Sequence, residues 1–250
     1  MGKGVKSGTI IGIMFAIVFV IALGSAIISR LNMNNYLEDG PPEEAAETEG
    51  AALDGVPEAA RGLAFARTFQ APPEGLTRID APIETADGLQ GWDDFEGQWT
   101  VLNLWATWCA PCLWELPDFD ALAGELEGHN VRVIALQTGP MGDTEVSLEA
   151  ARAEFDELGV TRLPVWVDGS EDRAAYMNAL AYWRDGGKFA MPTTLLLNPA
   201  GEIVGVTSGA RVERTGDEPL DVKSTKPGDV KTHWAKEEAA EFLKAVAAGA

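Results

Sequence analysis

The chain is poor in cysteine, in histidine and in positive charge. Its 250 residues include two cysteines, two histidines, and 19 lysines and arginines against 39 acidic residues, giving a formal net charge of −20. Each shortage excludes something. A secreted scaffold stapled by disulfides needs several cysteines at wider spacings than that of Cys109 and Cys112. A structural zinc site needs four ligands, and one cysteine pair with the remote His129 and His233 is a poor set, so no metal is expected. Lack of basic residues disfavours nucleic acid, whose phosphates must be neutralised by Lys and Arg. It also disfavours docking on anionic lipid, and the acidic excess reads as a solubility device. No internal repeat is visible. The hydrophobic share of 46% is ordinary and supplies a sizeable core. A redox pair is the leading use left for the two cysteines.

Charge is absent from Thr9 to Ser29, an almost wholly apolar run that ends at Arg30. About 20 such residues span a bilayer as a helix. Lys3 and Lys6, with no acid in residues 1–8, should keep that end in the cytoplasm and place the rest of the chain outside. Gly24-Ser25-Ala26 offers a cleavage site for the competing reading, a signal peptide. The apolar run continues through Ile27 and Ile28, which favours an uncleaved anchor. Residues 30–61 read as a flexible acidic linker. Between Glu38 and Ala60 there are eight acids, three prolines and no basic residue, too little apolar area to offset the entropy of ordering.

The remainder, 62–250, reads as one α/β domain. Residues 62–98 are mixed, with Phe65, Phe69, Leu76, Ile79 and Ile83 available to short strands and Leu89–Gly97 to a helical turn. Trp99–Ala106 is an apolar run suited to a central strand. A helix from Cys112 to about Glu127 follows, then a strand at Val131–Gln137 and a helix at Glu145–Leu158 capped by Gly159. Leu163–Asp168 is a strand and Glu171–Trp183 a helix. Two strands, Thr193–Leu197 and Glu202–Thr207, flank the turn at Asn198–Gly201. Ala235–Ala248 closes the chain as an amphipathic helix. Strands alternating with helices, then a hairpin and a helix, indicate a mixed sheet flanked by helices. Residues 211–233 read as an inserted polar surface loop of unusual length, with His233, like His129, at the surface.

Trp108-Cys109-Ala110-Pro111-Cys112 joins the central strand to its helix. Thiol–disulfide exchange needs a thiolate to attack and a second thiol to resolve the mixed disulfide. Cys109 falls at the helix N-terminus, where free N–H groups and the macrodipole favour an anion. Cys112 lies one turn on, on the same face. Cys109 is therefore expected to be the exposed nucleophile and Cys112 the shielded resolving thiol. Pro111 occupies the first turn, where its missing N–H matters little.

These residues resemble the thioredoxin superfamily. Trp-Cys-Ala-Pro-Cys after Asn103-Leu104-Trp105-Ala106-Thr107 looks like the TlpA/ResA/CcmG group of membrane-anchored thioredoxin-like thiol:disulfide oxidoreductases. The resemblance covers about 76–210 and the last helix, and it implies a thioredoxin-like fold. It assigns Pro192, in Met191-Pro192-Thr193-Thr194, to a cis proline facing the disulfide, with Met191 and Thr193 beside it as client-binding residues. Trp108, Ala110 and Pro111 join them on the client side. Glu115 matches a glutamate that ResA-like members carry near the thiols, where a carboxylate tunes the thiol pKa and can relay a proton. Pro117 matches the thioredoxin helix kink, and Trp105 and Trp108 would shield the sulfurs. Thioredoxin has an acid where this chain has Asn103, which fits the TlpA/ResA side.

The function so implied is reduction of client disulfides outside the cytoplasm, in cytochrome c maturation or copper-site assembly of cytochrome oxidase. Clients would be apocytochrome c or copper-delivery proteins, and a membrane donor of the DsbD/CcdA type would return electrons. No cofactor is expected beyond the Cys109–Cys112 disulfide. The implied location is a bacterial inner membrane, spanned once, with the catalytic domain in the periplasm. Two other readings share the superfamily. A Sco-like copper chaperone would use CxxxC and a distant histidine. A thiol peroxidase would use Thr-x-x-Cys, which is absent here.

Overall fold

A computed structural model of the chain describes residues 53–140, 143, 145–182, 191–213 and 224–249. The seven strands are β1 (Ile83–Thr85), β2 (Gly88–Gln90), β3 (Trp99–Trp105), β4 (Val131–Gln137), β5 (Val165–Asp168), β6 (Thr193–Leu197) and β7 (Ile203–Ser208). They form one mixed sheet in the order β2-β1-β5-β4-β3-β6-β7. β3 pairs parallel with β4 and antiparallel with β6, so the strand that leads into the cysteines is central. Helices are α1 (Glu58–Arg61), α2 (Ala110–Glu125), α3 (Leu148–Leu158), α4 (Ala175–Tyr182) and α5 (Glu237–Ala248).

The period-2 alternation of a strand sorts β3 onto two cores. Val101 and Trp105 face one cluster with Val133, Ala135 and Leu196, beneath Leu116, Phe119 and Leu122 of α2 and Phe242, Leu243 and Val246 of α5. Leu102 and Leu104 face the other with Ile134, Leu136, Leu195 and Leu197, beneath Tyr176 and Leu180 of α4. Every residue of β3 is buried, which explains why its sequence is apolar apart from Thr100 and Asn103. Each fully buried aliphatic side chain contributes about 1.5–3 kcal/mol relative to exposure. A central mixed sheet, helices on both faces and a Cys-x-x-Cys helix leaving the central strand make the fold thioredoxin-like.

Three expectations are corrected. Residues 53–61 do not belong to a solvated linker. Leu53, Val56 and Ala60 are buried in the first core, where the apolar members of an acidic stretch find partners the composition does not reveal. Of Leu89–Gly97, Trp92–Phe95 forms the expected helical turn before β3, as a 3-10 turn, whereas Leu89 belongs to a β1–β2 hairpin, its pairing with Glu84 fixed by the turn through Gly88 at φ 114°. Phe65 and Phe69 lie on and just after a 3-10 turn, Ala64–Thr68, and not on strands, since they pack against Phe242 of α5. Among the described residues no helix is long and apolar enough to cross a membrane. The expected span, 9–29, lies outside the described residues, as do 30–52 of the linker and 214–223 of the inserted loop.

That loop is not simply a surface excursion. Val212 bridges Thr232 and the Glu213 N–H donates to Lys231 O at 2.8 Å, closing its neck. Its returning strand then sinks over α2. Asp118 Oδ2 accepts from Thr232 N (2.8 Å) and Oγ1 (2.9 Å), and Trp114 Nε1 donates to Thr225 O. α2 is therefore covered on two sides, by the sheet and by this segment. Its buried residues include Trp114, Glu115 and Asp118 as well as the apolar row.

Candidate active site

Cys109 caps α2, and its carbonyl accepts the N–H groups of Cys112 (2.9 Å) and Leu113 (3.2 Å). One helical turn brings the two Cα atoms to 5.3 Å, and the sulfurs form a disulfide. Cys112 is fully buried. Cys109 is 5% exposed, less open than expected, because its sulfur is tied to Cys112 and takes its place in the first core. It is still the more accessible of the two. The rim is formed by Trp108, 55% exposed, with Thr107, Ala110 and Pro111 half-buried. Asp143 Oδ2 accepts from Trp108 Nε1 at 3.0 Å and so fixes the pose of that indole. Trp105, by contrast, is a core residue stacked on Phe155.

Met191-Pro192 is a cis peptide at the entry to β6, as the sequence pattern implies. Met191 is half-buried and packs against both cores, and Pro192 is buried. Thr193 is 1% exposed with its hydroxyl on Ser208, so only its backbone is placed to meet a client.

Behind the disulfide lies a buried polar cluster. Glu115, one turn beyond Cys112, is 1% exposed. Its Oε2 accepts from Asn103 Nδ2 at 3.3 Å, and its Oε1 from Trp234 Nε1 at 3.1 Å. Asn103 also donates to Thr194 Oγ1 at 3.0 Å. Burial pushes the Glu115 carboxyl well above its ordinary 4.5, against the opposing pull of the Trp234 and Asn103 donors, with Asp118 adding to the rise. In its ionised form Glu115 therefore takes up a proton more readily than an ordinary carboxylate, and it stands one turn along α2 from the resolving thiol.

His129 is exposed, as expected. His233 is not at the surface. It is 5% exposed, on a 3-10 turn (His233–Ala235) that follows the closed neck of the insertion. It stacks on Phe65 at 5.7 Å, and its Nδ1 lies 4.0 Å from Glu115 Oε1. The polar residues before it hid this burial in the sequence. The signal that could have found it is the adjacent Trp234, an aromatic in a polar tract that had to be buried somewhere.

Among the described residues no three His, Cys, Asp or Glu side chains cluster in a way that could hold a metal ion.

The AhpC/TSA family model matches residues 80–206, from the β1–β2 hairpin through the cysteine pair and the cis proline to β7. The chain belongs to the AhpC/TSA family. Within it, the chain is similar to the thiol-disulfide oxidoreductase ResA of Halalkalibacterium halodurans, 31% identical over 50% of this chain and 62% of that protein. It is similar also to the thioredoxin-like protein YneN of Bacillus subtilis, 29% identical over 60% of this chain and 79% of that one. The ResA match thus spans less than two thirds of its relative. Among solved structures, the pneumococcal exposed lipoprotein thioredoxin of Streptococcus pneumoniae covers 52% of this chain and 89% of its own, at 27% identity and a TM-score of 0.40.

Proposed function

We propose that this chain is a thiol:disulfide oxidoreductase that reduces client disulfides outside the cytoplasm. One observation carries the reading: the Cys109–Cys112 disulfide stands at the start of α2 with a buried, readily protonated Glu115 one turn behind it. In the reduced protein the Cys109 thiolate, favoured by the helix N-terminus, attacks a client sulfur. One client thiolate leaves and a mixed disulfide forms. Glu115 takes the proton of Cys112, whose thiolate then attacks Cys109 Sγ. The second client thiolate leaves, and the Cys109–Cys112 disulfide remains. Two electrons have passed from the enzyme to the client.

Trp108, Ala110, Pro111 and the Met191–Thr193 backbone form the surface a client strand would meet. The relatives named above support clients with exposed disulfides. Apocytochrome c or a copper-delivery protein, re-reduction by a membrane donor of the DsbD/CcdA type, and a periplasmic domain anchored by residues 9–29 belong to the same proposal.

Replacing Cys112 with serine removes the resolving thiol. Cells or lysates containing C112S should therefore accumulate mixed disulfides that reductant releases and that C109S abolishes. A reduction potential as oxidising as about −120 mV, that of DsbA, would contradict a reductase.

A further inference from the structure

The mechanism above makes no use of the buried imidazole of His233. His233 has both ring nitrogens shielded from solvent and without a hydrogen-bond partner, an unusual state for an imidazole inside a protein. It stands beside the one carboxyl that the exchange reaction needs. Nδ1 is 4.0 Å from Glu115 Oε1, and both side chains are nearly fully buried. On its other side the ring forms part of the wall of a surface cleft of about 330 Å³, bordered by Ala64, Phe65, Thr68, Arg211 and Lys236. Asp118, the next carboxylate along α2, is held by Thr232 and Lys231.

Resting on the oxidoreductase reading, we propose that His233 is the proton exit of the resolving step, carrying the proton of Cys112 from Glu115 to the Arg211–Lys236 cleft. The balance is simple. Cys112 S–H gives its proton to Glu115, and the thiolate displaces the client thiolate from Cys109. Glu115 passes the proton to Nδ1, while the ring releases its Nε2 proton to water entering from the cleft. No electron moves in this relay, and Glu115 is left ionised as it began. The 4.0 Å gap exceeds a hydrogen bond, so ring and carboxyl must close by about an ångström, within the amplitude of ordinary side-chain motion.

The surroundings suit a relay rather than a stored charge. Burial first, then the positive charges of Arg211 and Lys236, push the imidazole down to about 3. The ring therefore does not hold a second proton at neutral pH, so uptake at Nδ1 and release from Nε2 are concerted. The same neutrality means that Glu115 and His233 are not an ion pair. The charged groups around the dyad and its cleft are Asp118 from α2, Arg211 and Glu213 from the outgoing neck, Lys236 before α5, paired with Glu213 at 3.1 Å, and Glu238 within α5.

Reduced full-length protein mixed with dithiodipyridine separates the two steps. Attack by Cys109 releases the first thiopyridone, and resolution by Cys112 releases the second. In His233→Phe, which keeps the stack on Phe65 but has no nitrogen, the second release should slow about tenfold and lose its pH dependence, with the first unchanged. His233→Gln, which keeps a polar side chain but cannot relay, should behave the same way. Glu115→Gln should slow the same phase, and combining it with His233→Phe should add little, since the two act in series. A second release at the wild-type rate in both histidine variants overturns the proposal, and so does a slow one in which Glu115→Gln has no effect. If wild-type protein releases no thiopyridone at all, the oxidoreductase reading itself fails and the relay falls with it.

Discussion

At the scale of single residues, the site depends on Glu115 being held where a carboxylate is unwelcome. Asn103 and Trp234 each donate one hydrogen bond to it, which keeps a buried acid satisfied. Glu115→Gln should therefore fold, since the amide oxygen can still accept one of the two donors, but should resolve mixed disulfides more slowly, by about 100-fold at neutral pH. Stopped-flow measurement of the second thiol release checks this. Cys109 and Cys112 were legible from their spacing at the start of a helix, and Pro192 and Glu115 through the family resemblance of the residues around them. Trp234 and His233 were not. They reach Glu115 from more than a hundred positions away, and no local pattern encodes a contact made by chain topology.

At the scale of elements, caps and buried carboxylates set the boundaries. α3 starts at Ser147, whose hydroxyl accepts from the Ala150 N–H, and stops at Gly159, whose φ of 69° is left-handed. Nothing lies within 4 Å of where a Cβ at Gly159 would project, so Gly159→Ala is strained only through its backbone. It should lower stability by about 1–2 kcal/mol in urea titration and leave the exchange rates intact. Asp120 on α2 is a stronger tie. Its Oδ1 accepts from the N–H groups of Thr161, Arg162 and Leu163 and thereby fixes the approach to β5. Asp120→Ala strands those donors and should destabilise by about 2–4 kcal/mol, read in the same titration. The strands β3, β4, β6 and β7 and the helices α2, α3 and α5 could be read from apolar runs and cap residues. The β1–β2 hairpin could not, because strands of three residues carry too few positions for alternation to show.

For the whole molecule, Glu115 and His233 make stability depend on pH from opposite sides. Native Glu115 keeps a proton that the unfolded chain releases above about 4.5, so its contribution is lost as pH rises from there towards its raised folded value. Unfolded His233 takes a proton below 6.5, while the native ring resists to about 3, so stability is lost as pH falls through that window, by a few kcal/mol. A plot of melting temperature against pH should be dome-shaped. Glu115→Gln should flatten its alkaline limb and His233→Phe its acid limb. A wild-type curve whose limbs both survive these substitutions would show that other groups govern it.

The closed neck of the insertion has a practical meaning. Glu213 and Lys231 meet across one backbone hydrogen bond and Arg211 and His233 across another, so the described ends of the insertion are tied together. An insertion between 214 and 223 would join a segment whose flanks are already tied. A reporter or affinity module inserted there should leave the domain folded, and the position is a natural handle for capturing clients.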